Sequence, residues 1–134
     1  MEYSTETVYM GQGRCTTVHK VTGATVTTDL DKSHGGLEQN PSPGELLGAT
    51  LASCMMSMVS FIASRKEIDV KGMKFEAFPV AENGKITKIV LKATVPLPTN
   101  HPYRKALEQS ALTCPVHGVL RADIETPIEW NWIG

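Results

Sequence analysis

Three cysteines and a few ionisable neighbours carry most of the chemistry this sequence offers. Cys54 lies midway along an apolar run, and Cys114 is followed directly by Pro115, Val116 and His117. A thiolate is a nucleophile and a metal ligand, and two adjacent thiols can also cycle through a disulfide. Cys54 shares three- and four-residue spacings with Leu47, Leu51, Met58 and Ile62, which puts them on one helical face. Cys114 closes a second such stripe formed by Tyr103, Leu107, Ser110 and Ala111. Two core-facing helices with one inward thiol each can bring those thiols together, but spacing does not decide whether they meet within disulfide reach. Cysteine is also among the most buried residue types and is commonly plain packing. A reactive pair and two ordinary core thiols are both open readings here. Cys15, next to Arg14, reads as structural or incidental. Cys114 and His117 offer a thiolate and an imidazole three apart. A zinc site wants four ligands, and no CxxC or HxxxH completes the set, so no metal is expected. His19, His34 and His101 belong to no motif, no GxSxG marks a serine nucleophile, and no cofactor is called for.

The elements that must position these thiols can be read from periodicity and punctuation. Thr7 to Met10, Cys15 to Val21 and Ala24 to Asp29 are rich in Thr, Val and Tyr and read as strands, with turns at Gly11-Gln12-Gly13 and Thr22-Gly23. Leu30 to Pro43, with His34-Gly35-Gly36 and two prolines, reads as a loop. Ser42, Pro43 and Glu45 then form a capping-box start, and a helix is expected from there to about Lys66. Val70 to Val80 and Lys85 to Val95 read as a hairpin about Asn83-Gly84, both residues that tolerate positive φ. In the second strand Ile89, Leu91, Ala93 and Val95 alternate with polar neighbours. A cap at Thr99 or Asn100 opens a second helix, which Pro115 interrupts after Cys114. Ile124 to Ile133 returns to a strand, with Ile128, Trp130 and Trp132 alternating. The order is an α+β pattern, with antiparallel sheets around one long central helix. A helix apolar on all sides needs cover on all sides, and one small sheet covers one. A second copy of the chain is the simplest cover, so a two-fold homodimer is expected.

Bulk composition narrows the function. The sequence has 134 residues, 41% hydrophobic and 20% charged, which suits a single domain over residues 1–134. With 13 basic and 14 acidic residues the net charge is -1, so no nucleic-acid partner is expected. Leu46 to Ala63 runs 18 residues without a charge, the lower edge of a membrane-spanning length. Thr50, Ser53, Ser57 and Ser60 interrupt it and no basic cluster orients it, so no membrane association is expected. The N-terminal residues lack a basic and an apolar signal region, and three cysteines do not make a disulfide framework. A cytoplasmic location is the expectation.

The two cysteine segments resemble the OsmC/Ohr family (osmotically inducible protein C and organic hydroperoxide resistance protein). Ser42-Pro43-Gly44-Glu45-Leu46-Leu47-Gly48-Ala49-Thr50-Leu51-Ala52-Ser53-Cys54-Met55 is similar to that family's SPxELLxAxLxSCM segment. Thr113-Cys114-Pro115-Val116 is similar to its TCPV signature. The resemblance implies an OsmC-like fold and an intertwined homodimer with the long helices at its centre. It further implies a thiol-dependent peroxidase with Cys54 attacking an organic hydroperoxide and Cys114 closing a disulfide, which an external dithiol then reduces. Gly11-Gln12-Gly13-Arg14 resembles the family's N-terminal GxxR region, making Arg14 the cation implied for the thiolate. An exposed strand-end charge is the other reading of Arg14. The family's peroxidases place a glutamate ten positions before the first cysteine; this chain has Gly44 there and Glu45 at nine. One helical step rotates a side chain by about 100°, so Glu45 is expected to cap its own helix. Leu51, Met55, Met58 and Phe61 would favour a small apolar hydroperoxide as substrate, and are equally compatible with plain core. The alternative function is a non-catalytic dimer that binds a small apolar ligand or senses oxidants stoichiometrically.

Overall fold

A computed structural model of the chain describes residues 2–134. It divides into two compact units, one ending at Leu46 and one spanning Leu47–Gly134.

The first unit is a three-stranded antiparallel meander of β1 (Thr5–Gly11), β2 (Arg14–His19) and β3 (Thr25–Asp29), in the order β1-β2-β3. β-branched residues suit these pleated, half-exposed strands. Threonine hydroxyls link them across the ladder, Thr7 to Thr17 at 2.7 Å and Thr16 to Thr27 at 3.2 Å. The first hairpin turns through Gln12 and Gly13 at φ 54 and 78°, a region glycine enters without strain. The β2–β3 register sets Arg14 opposite Asp29. The connection after β3 makes a short 3-10 turn, Lys32–His34, which Asp31 caps. A Cβ on Gly36 would fall 1.9 Å from the Leu30 carbonyl oxygen, so only glycine fits there.

Helix α1 (Pro43–Arg65) begins on the expected capping box. Ser42 Oγ accepts from the Glu45 amide at 3.1 Å, and the Glu45 carboxylate accepts from the Ser42 amide at 3.0 Å. Two backbone donors that the helix itself cannot satisfy are thereby paired.

In the second unit, β4 (Lys74–Glu82) and β5 (Lys85–Val95) form the expected hairpin, with Asn83 and Gly84 at φ 53 and 75°. Chain then passes through α2 (Arg104–Ala111) and α3 (Pro115–Val119) to β6 (Ile128–Trp132). β6 pairs with β5 in parallel, so this sheet is mixed where an antiparallel one was expected. The reason is topological: a helical crossover between β5 and β6 returns the chain in the same direction. α2 starts at Arg104, later than expected, because the turn around Pro102 comes first, with the Arg104 amide donating to the His101 carbonyl.

The core of this unit joins Leu51, Met55, Val59 and Ala63 of α1 to Ile89, Leu91 and Val95 of β5, and to Leu107 and Ala111 of α2. Gly48 faces the sheet, where a Cβ would meet the Ala77 Cβ at 3.4 Å in ordinary contact. α2 is tied to β6 by the Glu108 carboxylate, which accepts from Trp132 Nε1 at 2.8 Å and Arg104 Nε at 2.9 Å. α1 is long and apolar enough to cross a membrane by composition, yet one face of it is core. The single chain leaves its other face uncovered: Ser53, Ser57, Ser60 and Ser64 are exposed there, and Phe61 is 53% exposed.

Candidate functional site: a facing thiol pair

Cys54 comes from the middle of α1 and is partly buried against the core of the second unit. Leu51 and Met58 lie one turn to either side of it. Leu51 and Met55 are fully buried and belong to the core, Met58 is partly buried, and Phe61 stands outside with the Arg65 guanidinium over its ring. Cys114 is 1% exposed and sits in the same core. The apolar stripe of α2 puts it there, since Leu107, Ser110 and Ala111 are all buried.

Cys114 does not end a helix, as the stripe implied. It stands in extended backbone as the N-cap of α3, with Pro115 in the first turn. Its Sγ accepts from the His117 amide at 3.2 Å. Proline lacks an N–H and is pre-shaped for that position, so the break at Pro115 is also the start of a new helix. The part His117 plays through its backbone was missed from sequence. The visible signal was a small polar side chain followed directly by proline.

The two sulfurs act on each other. Burial pushes the Cys114 thiol above its ordinary range, and the His117 amide pulls the other way. Cys54 adds to the rise, both as a hydrogen-bond partner and as a charge. No disulfide joins them; all three cysteines are free, Cys15 among them on β2 between Tyr9 and Thr28.

In the first unit Arg14 is held by Asp29, not by Glu45. Arg14 Nε and Nη2 donate to the two Asp29 carboxylate oxygens at 2.7 and 2.9 Å, and Nη2 also donates to Gln39 Oε1 at 2.9 Å. Asp29 is 1% exposed and also accepts from the Gln39 and Asn40 amides at 2.9 Å. Two parallel bonds of this kind fix a guanidinium in direction as well as position. Glu45 is occupied by its capping box, and no ion pair joins it to Arg14 among the described residues. Asp29 was missed from sequence; it depends on the hairpin register that sets it across from Arg14.

The Arg14 hydrogen bonds hold the Asp29 carboxyl far below the usual carboxylate range. Burial opposes this, while Asn40 and Gln39 assist. A carboxyl whose folded-state pKa is depressed contributes stability above its unfolded pKa of about 3.9, and that contribution is lost as pH falls toward the folded value. Denaturant unfolding of the wild type should therefore weaken steeply below about pH 4. Asp29→Asn should be less stable at neutral pH and flatter through that acid range. Parallel curves for the two proteins would remove Asp29 from the account.

No group of three or more His, Cys, Asp and Glu side chains able to hold a metal ion is present among the described residues. What the second unit offers is a thiol pair in an apolar setting, a donor amide on one sulfur, and a like charge available on the other.

The family profile of the OsmC-like proteins matches residues 33–129, a stretch that contains both Cys54 and Cys114. The chain belongs to the OsmC-like protein family. Its structure is similar to that of a protein from Psychrobacter arcticus, provisionally described as an osmotic stress induced and detoxification response protein. They share 26% identity and a TM-score of 0.92, over 98% of this chain and 97% of that one. An OsmC-like protein from Mycoplasma pneumoniae has the same fold at 15% identity and a TM-score of 0.82, over 100% and 99% of the chains. So does an organic hydroperoxide resistance protein from Elizabethkingia anophelis with thiocyanate bound, at 18% identity and 0.74, over 99% of each chain. None of the curated protein sequences matches. The OsmC-like match begins beyond β3, so Arg14 and Asp29 lie outside it, while Glu45 lies within.

Proposed function

We propose that this OsmC-like protein is a thiol-dependent peroxidase for small apolar hydroperoxides, working through Cys54 and Cys114 with an external dithiol as reductant. The observation that carries this reading is that Cys54 and Cys114 pack into one apolar core, both within the stretch that matches the OsmC-like family. The Cys54 thiolate attacks the outer oxygen of the hydroperoxide, the O–O bond breaks, and the alcohol leaves with the proton held on Cys114. Cys54 is then a sulfenic acid. The Cys114 thiolate attacks that sulfur, hydroxide departs and takes up from solvent the proton that Cys54 released on ionising, and a disulfide remains. Two thiols of the reductant restore the pair by exchange. Overall, one hydroperoxide and two thiols give one alcohol, one water and one disulfide.

An apolar setting around Cys54 disfavours a fully hydrated peroxide and suits one with a hydrocarbon body. Arg14, whose segment is like the family's N-terminal region, is assigned to the reaction as the cation for the thiolate; Glu45, one step from the family's glutamate position, serves the reaction only by capping the helix that carries Cys54. A reducing, cytoplasmic setting would keep the resting pair as thiols. The uncovered face of α1, and Val8, Tyr9 and Met10 of β1 at 48, 67 and 60% exposed, support a two-fold homodimer. Exposed large apolar side chains of this kind are commonly covered by a partner.

The test is consumption of cumene and tert-butyl hydroperoxide under a dithiol. Many turnovers per chain, faster than with hydrogen peroxide, are expected. A second reading follows from Gly44 and from the capping role of Glu45: a stoichiometric oxidant sensor or binder of an apolar ligand. It predicts that consumption stops after one equivalent despite excess dithiol.

A further inference from the structure

Helix α3 is fastened unusually lightly. It has five residues, none of them fully buried; Val116 packs in part against the core, and Val119 is 81% exposed. Forming one isolated helical turn is unfavourable, so a helix this short depends on the few bonds that close it. Those are the Gly118 amide on the Cys114 carbonyl at 3.1 Å, the Leu120 amide on the His117 carbonyl at 3.2 Å, and the His117 amide on Cys114 Sγ at 3.2 Å. Pro115 contributes no donor at its own position. One atom is thus asked to do two things: Cys114 Sγ is both the cap of α3 and the sulfur facing Cys54.

We propose that Cys114 is a redox-released latch. As a free thiol it accepts the His117 amide and fastens α3, and as half of a disulfide with Cys54 it lets that amide go. The inference deepens the peroxidase reading, because it concerns the same pair, but it needs only the disulfide and not a peroxide. A disulfide draws the sulfurs to about 2.05 Å with a C–S–S–C torsion near 90°. The sulfurs are unbonded in the free-thiol state, so closing the bond turns Cys114 Sγ from the position in which it accepts the His117 amide.

The consequence lies in the reductive half of the cycle. With α3 loosened, the Cys114 side of the disulfide opens to the thiolate of an external dithiol. That thiolate attacks Cys114 Sγ, the S–S bond breaks, and Cys54 leaves as a thiolate. The second thiol of the reductant then displaces Cys114, also as a thiolate, leaving the reductant as a disulfide. The His117 amide recaptures the departing sulfur and α3 closes. A dithiol would thereby meet an open site only on the oxidised protein.

Amide hydrogen exchange on the whole protein tests this, comparing dithiothreitol-reduced protein with protein oxidised by diamide, which closes disulfides without a peroxide. Exchange at residues 116–119 should speed up roughly fivefold to tenfold on oxidation, the range for losing one helix cap, with little change in α2. Cys54→Ser should show no such redox response. Cys114→Ser should keep α3 protected under both conditions, because a serine hydroxyl caps at least as well. Unchanged or slower exchange, with the Cys54–Cys114 disulfide verified by mass, overturns the latch and leaves the peroxidase reading standing. Failure of diamide to form that disulfide overturns both.

Discussion

Cys54→Ser is expected to lower hydroperoxide turnover by on the order of a thousandfold or more, since it removes the only atom assigned to attack the peroxide. The fold should survive, because Cys54 is partly buried and serine differs from it by one atom. Far-UV circular dichroism and size-exclusion elution should match the wild type. Cys114→Ser should behave differently. Its first turnover should remain, because the attacking sulfur is intact, but no internal disulfide can follow. Sulfenic acid would then persist on Cys54, and excess hydroperoxide would drive it to sulfinic acid. The pair of variants thus separates a nucleophile from a resolving thiol: one gives no alcohol, the other about one equivalent followed by inactivation. Equal losses of the first turnover would mean that Cys114 is needed for the attack itself, as a proton donor that serine cannot replace.

The second large effect concerns the support of the pair. Leu51 is fully buried, one turn before Cys54, in the core shared by α1, β5 and α2. Leu51→Ala removes three buried carbons and leaves a cavity, which costs about 2–5 kcal/mol. Small domains have about 5–15 kcal/mol in total, so this is a large share, and the melting temperature should fall by roughly 10 °C. Phe61→Ala is the counterpart on the uncovered face of the same helix. In an isolated chain it should cost well under about 1 kcal/mol, as exposed positions do. A cost as large as that of Leu51→Ala, together with a shift from dimer to monomer, would show that the face is buried in a homodimer.

How far these arrangements were legible in the sequence differs by residue. The capping box of Ser42 and Glu45 and the Asn83-Gly84 hairpin were fully readable, because each is set by neighbours within a few positions. The buried stripe of α1 was readable too; that of α2 was readable only in part, since Leu107, Ser110 and Ala111 are buried but Tyr103 is exposed before the helix and Cys114 lies beyond it. The direction of β6 was not, because parallel pairing with β5 is a property of the whole crossover and no local pattern encodes it. Asp29 was hidden by register. A two-residue turn at Thr22-Gly23 would put Arg14 opposite Asp31, but the actual turn is closed by the His19 amide on the Ala24 carbonyl and shifts the pairing to Asp29. The cap on Cys114 was hidden by the proline after it, which reads equally well as the end of one helix and the start of the next.

The central claim is that Cys54 and Cys114 exchange two thiols for one disulfide when a hydroperoxide arrives. Peptide mapping by mass spectrometry, on reduced protein given one equivalent of cumene hydroperoxide and then quenched with an alkylating agent, reads this directly. The account predicts a Cys54–Cys114 cross-linked peptide two hydrogens lighter than its parts, with Cys15 alkylated. Full alkylation of all three cysteines, or a Cys54 carried to sulfinic acid while Cys114 stays a free thiol, would contradict it.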